Sequence, residues 1–98
     1  MFVKIHHAYR IIVAVADSDL IGKRFEEGMR QIDIRANFFA GEELAEKQII
    51  ELLQDMQKED ATFNIVGKKS VAAGVKARVV SEEGIFYIDG VPVALGLL

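Results

Sequence analysis

Hydrophobic positions along the chain follow two different periods. Residues 2–7 and 10–16 are rich in Val and Ile and read as two strands. They are joined through His7-Ala8-Tyr9-Arg10 as an amino-terminal hairpin. The second run, Ile11 to Ala16, is apolar at every position, the pattern of a central strand covered on both faces. Asp17-Ser18-Asp19 ends it. The stretch 20–28 has two glycines and mixed charge and reads as a structured loop or one helical turn. Residues 30–35 alternate polar and apolar side chains, as a half-buried strand does.

The period then lengthens. Ala45, Ile49, Leu52, Leu53 and Met56 fall on one helical stripe, predicting a helix over about 42–59. Glu42, Glu43 and Glu46 would lie in its first turns, where negative charge favours the helix dipole. Residues 61–67 read as a short connector that tucks Phe63 and Ile65 inside. Val71, Val75 and Val79 predict a second helix over about 68–78, although Gly74 lowers its propensity by roughly 1 kcal/mol relative to Ala. Residues 85–89 and 92–97 read as a closing hairpin around Asp89-Gly90, with Pro92 restricting the return strand to an edge or a strand start. The pattern predicts an α+β fold: a single domain over 1–98, with a mostly antiparallel sheet of about five strands and two helices packed on one side.

Composition narrows the function classes. With 98 residues, 51% hydrophobic and 28% charged, the chain can fill one core and no more. The absence of Cys excludes disulfides, thiol catalysis and Cys-ligated metal. The amino terminus has no signal-peptide pattern, and no apolar run approaches the roughly 20 residues that span a bilayer, so the expected setting is cytoplasmic, with no membrane partner. Net charge is −3, which disfavours a general polyanion binder. The charge is uneven: residues 1–30 carry +1, residues 31–60 carry −5 and residues 61–98 carry +1, so a local basic patch at either end is compatible with the total.

Several constellations are candidates for chemistry. Gly22-Lys23-Arg24 and Gly67-Lys68-Lys69-Ser70 each set a glycine before paired cations. In the second, the glycine opens a helix, where free N–H groups attract phosphate or carboxylate. Neither is a Walker A loop, and a glycine followed by solvated lysines explains both. His6 and His7 are adjacent on a strand and point to opposite faces, so they do not chelate one metal, and no metal or cofactor is expected. Asp17 and Asp19, at the end of a buried strand, are turn caps or, alternatively, ligand-binding or general-base carboxylates. No catalytic residue is assigned, because nothing fixes a nucleophile beside either His. Phe38-Phe39 covers the sheet edge or offers one exposed contact. The acidic face of the first helix is a solvated face, or a dock for a basic protein surface.

The order Ala16-Asp17, Leu20-Ile21-Gly22-Lys23-Arg24-Phe25, Glu27-Gly28, Phe38-Phe39-Ala40-Gly41, Asn64-Ile65-Val66-Gly67 and Gly90-Val91-Pro92 resembles the archaeal domain-of-unknown-function family 424 over nearly the whole chain. The resemblance implies small stand-alone proteins without an assigned activity, in an archaeal cytoplasm, with genes near those of translation or ribosome biogenesis. It points to Asp17, Gly22, Phe38, Gly41, Asn64, Gly67 and Pro92, of which Asp17 and Asn64 are the polar positions. The family pattern continues after Pro92 with His-Ala-Gln, whereas this chain has Val93-Ala94-Leu95.

Three readings of function follow. The first is a non-catalytic binding module in translation or ribosome assembly, contacting RNA or a ribosome-associated protein. In it Lys23, Arg24, Lys68 and Lys69 meet phosphate and Asn64 makes a directional hydrogen bond. The second is a small ligand-binding protein or enzyme with a pocket near Asp17 and Asn64. The third is a structural homodimer through an edge strand formed by the apolar carboxy-terminal run Val93–Leu98.

Overall fold

Strands β1 (Phe2–His7) and β2 (Ile11–Ala16) form the expected hairpin, with Val3 opposite Val15 and Ile5 opposite Val13. The structure, a computed structural model, describes residues 1–97. Val13 to Ala16 are fully buried, as a run without polar positions requires.

Three local expectations are corrected. The stretch 20–28 holds more than a loop: a 3-10 turn at Ser18–Leu20 leads into β3 (Arg24–Glu27), which pairs with β4 (Arg30–Asp33) as a separate two-stranded ribbon. Phe25 and Ile32 face each other in it, and this single apolar pair per strand is too short a signal to stand out. Glu42 and Glu43 are not helical. They form β5 (Glu42–Glu43) against Val3 and Phe2. Gly41 permits this, because a Cβ there would lie 3.0 Å from the Cα of Lys4. After a short helix α1 (Ala36–Phe39), the main helix α2 therefore spans Glu46–Lys58, and the Gln48 side chain accepts from the N–H of Ala45 at 3.1 Å. Residues 61–67 are not a connector either. Thr62–Val66 is β6, the parallel neighbour of β2, and Phe63 and Ile65 are buried as expected.

Helix α3 (Lys68–Lys76), β7 (Phe86–Ile88) and β8 (Val91–Gly96) complete the chain. The main sheet has six strands in the order β5-β1-β2-β6-β8-β7. All its neighbours are antiparallel except β2 and β6, so the α+β, mostly antiparallel class holds with more strands than expected. Both long helices cover one face: Ile49 and Leu53 of α2 and Val71 and Ala73 of α3 pack on Val3, Val13, Val15, Phe63 and Ile65. Full burial of an Ile or Leu side chain contributes about 1.5–3 kcal/mol. The opposite face buries Ala14, Ala16, Val66, Ile88 and Val93 under Ile34, Phe39 and the ribbon's Phe25 and Ile32.

The carboxy-terminal run expected at an edge is an inner strand. β8 pairs with β6 on one side and β7 on the other, and Pro92 lies one residue inside its start. Leu98 lies outside the described residues. Among the described residues, no helix is long and apolar enough to cross a membrane.

Candidate functional site

The parallel pair β2 and β6 ends with Ala16 beside Val66, so the chain leaves the two strands side by side, at Asp17 and Gly67. The N–H of Asp17 donates to the carbonyl of Val66 at 3.1 Å, and that of Gly67 to the carbonyl of Pro92 at 2.9 Å. Gly67 has φ 107° and ψ 155°, a conformation open essentially to glycine alone. It turns the chain from β6 directly into α3.

The first turn of α3 meets Asp17. One carboxylate oxygen accepts from the N–H of Ser70 and from the Ser70 hydroxyl, both at 2.7 Å, and the other accepts from the N–H of Lys69 at 3.1 Å. Asp17 is only 8% exposed and Ser70 is fully buried. A residue 53 positions earlier in the chain thus caps the helix and sets a negative charge at the positive end of its dipole. The capping reading of Asp17 is right in kind, but the capped element is a distant helix and not the local turn. The N–H groups expected to attract an external anion at Lys69 and Ser70 are already satisfied from within.

Outside this clamp is a concavity of about 630 Å³, lined among others by Asp17, Asp19, Lys68, Lys69 and the Gly90–Pro92 turn. Both lysines are exposed. The ion pairs found among the described residues join Arg24 to Glu26, Arg35 to Asp33 and Lys76 to Glu46, and involve neither Lys68 nor Lys69. The structure therefore brings Asp17, Lys68 and Lys69 together.

It places the other candidates elsewhere. Lys23 and Arg24 lie at the start of the ribbon, where Arg24 reaches Glu26 at 2.5 Å and Gln31 at 2.6 Å. Asn64 is half-buried on β6, in register with Ala14 and Leu95. Its neighbours Phe63 and Ile65 face the helices, so strand alternation turns Asn64 to the other side of the sheet. The Asp17 carboxylate points to α3, and Asn64 does not line the concavity that Asp17 lines.

His6 and His7 divide as strand geometry requires. His6 is half-buried, its Nε2 lies 2.8 Å from the carbonyl oxygen of Phe38, and its ring stacks on Phe38 at 4.5 Å, while His7 is exposed. Phe39 is buried and meets Phe38 edge-on at 5.1 Å. Among the described residues, no group of three or more His, Asp or Glu is placed to hold a metal ion.

Sequence reasoning singled out the lysines of Gly67-Lys68-Lys69-Ser70 and passed over Ser70. The available signal was a serine two residues into an otherwise apolar and basic helix. Nothing local names its partner.

The family model described as "Protein of unknown function (DUF424)" matches residues 5–96. The crystal structure of an uncharacterized conserved protein from Methanopyrus kandleri is similar to this chain, with a TM-score of 0.83 and 21% identity, over 96% of this chain and 87% of that one. At that identity the likeness shows the fold alone. No curated protein matches the chain.

Proposed function

The chain belongs to the DUF424 family of proteins of unknown function, and from that premise we propose a non-catalytic binding module of archaeal translation or ribosome assembly that works in the cytoplasm and holds RNA phosphate with Lys68 and Lys69. One observation carries the reading. The buried acid of the concavity spends both carboxylate oxygens on α3, while two lysines outside every ion pair among the described residues stand exposed at its rim. Asp17 thus acts as a positioning residue that fixes the backbone of Lys69 and Ser70. A chain of net charge −3 suits contact with a few phosphates and not a broad polyanion surface. Lys23, Arg24 and Asn64 lie away from the concavity, so the proposal rests on the two lysines.

The test is the double variant Lys68→Ala/Lys69→Ala against single-stranded RNA over a range of salt. Losing two phosphate contacts should weaken binding at low salt and flatten the log–log salt slope by about 1.4, at roughly 0.7 per contact. Lys58→Ala, on α2, should leave both unchanged. An unchanged slope in the double variant contradicts RNA contact at this site.

A further inference from the structure

A second depression runs beside the concavity, between α3 and β7, with a volume of about 520 Å³. Its walls are Ala72 and Val75 from the helix, and Ile85 and Tyr87 from the strand side. Lys68 and Lys76 stand at its two ends, and Glu82 is the acid that lines it.

This face departs from an ordinary solvated helix surface. Positions 68, 72, 75 and 76 follow the spacing of one helical side. Ala72 is exposed and Val75 half-buried there, so solvent meets an apolar strip between two cations. Phe86 and Ile88 pack into the opposite core, which turns Tyr87 to the helix side, where it is 56% exposed. The charged residues that line the groove are two basic, Lys68 and Lys76, and one acidic, Glu82. Residues 67–81 hold four basic side chains and no acidic one, and Glu82 and Glu83 follow them directly. Lys76 does pair with Glu46 at 2.9 Å, but both side chains are about half exposed, and such a pair is worth little and exchanges readily for another carboxylate.

We propose that this groove docks an acidic segment of a protein partner, with apolar side chains between two carboxylates. Eight residues of helix separate Lys68 from Lys76, about 12 Å at 1.5 Å per residue. Carboxylates four residues apart in an extended strand span about 13 Å and match that separation. Leu or Phe side chains between them cover Ala72, Val75 and Tyr87. The floor of Ala72, Val75 and Ile85 is aliphatic and suits Leu or Phe side chains, and Tyr87 adds a single aromatic face at its edge, short of the run of aromatics on which successive bases stack. The groove and the concavity share Lys68 and Pro92, but Lys69 does not line the groove, and Ala72, Val75 and Tyr87 do not line the concavity, so variants at those four positions separate the two readings.

The probe is an array of octapeptides built at random from Asp, Leu, Phe and Ala, beside a matched array with Lys replacing Asp. The labelled full chain should be retained at least tenfold better on the acidic array. Ala72→Glu, at an exposed helical position that tolerates either charge, should cut that retention at least tenfold, whereas Ala72→Lys should preserve it. Tyr87→Ala should lose peptide retention and keep RNA affinity, and Lys69→Ala should do the reverse. Equal retention on both arrays, or retention indifferent to Ala72→Glu, overturns the proposal. So does displacement of the peptides by oligouridylate that Ala72→Glu abolishes, since the groove would then be an RNA site.

Discussion

Gly67→Ala is expected to destabilise the protein by about 2–6 kcal/mol, the larger of the two effects expected at the clamp. Two causes add. At φ 107° and ψ 155° an L side chain strains the backbone, at a cost of about 1–3 kcal/mol. The new Cβ would also lie 2.6 and 2.7 Å from the two carboxylate oxygens of Asp17, so the carboxylate must leave its place. That strands the buried donors of Ser70, at about 1–3 kcal/mol. For a domain of this size the melting temperature should fall on the order of 10–30 °C. Thermal unfolding followed by circular dichroism reads it directly. A fall below about 5 °C would mean that the β6–α3 junction accepts a side chain and that Asp17 is not held as described.

The second effect comes from the acid itself. Asp17→Ala removes the acceptor of three donors, two of them on fully buried Ser70, and is expected to lose about 2–4 kcal/mol. Ser70→Ala removes one donor with its hydrogen bond and should lose about 1 kcal/mol. Asp17→Asn keeps one carbonyl oxygen and should fall between them. The decisive quantity is the double-variant cycle. Once Asp17 is gone, deleting the Ser70 hydroxyl also deletes an unsatisfied group, so the double variant should be more stable than the two single losses predict, with a coupling on the order of 1 kcal/mol. Urea unfolding of the four proteins measures it, and strictly additive losses would contradict a shared hydrogen-bonded clamp. RNA affinity should drop in Asp17→Ala below its melting temperature, because the first turn of α3 carries both lysines.

The clamp shows where the sequence is legible and where it is not. The apolar run at Ile11–Ala16 and the stripe through Ile49 and Leu53 are strong periodic signals, and the strand and helix they predict are present. The same rules fail at Glu42 and Glu43. Their charge suits a helix start, but pairing with β1 across Gly41 overrides that local preference. Thr62–Val66 has only five residues, short enough to pass for a connector, and it becomes a strand because β2 and β8 flank it. The closing hairpin is right as a pair, and of the two placements Pro92 allowed, a strand start is observed and an edge is not. Its return strand lies inside the sheet because β6 takes the side that a strand at the end of a chain would be expected to leave open.

For the site, Asp17, Gly67 and the lysine pair all stand out by residue type, yet their meeting depends on β2 and β6 lying parallel and adjacent. No spacing along the chain encodes that neighbourhood. Asn64 shows the converse. It shares a motif with Gly67, but strand alternation sends it to the opposite face of the sheet.

The most direct measurement is ultraviolet crosslinking of the protein to RNA in its native host, with the crosslinked residues mapped by mass spectrometry. RNA held at the rim of the concavity predicts ribosomal or translation-linked RNA attached to peptides covering residues 67–76, and loss of those crosslinks in Lys68→Ala/Lys69→Ala. Crosslinks confined to the β1–β2 hairpin or the ribbon, or no RNA recovered above an untagged control, would contradict it.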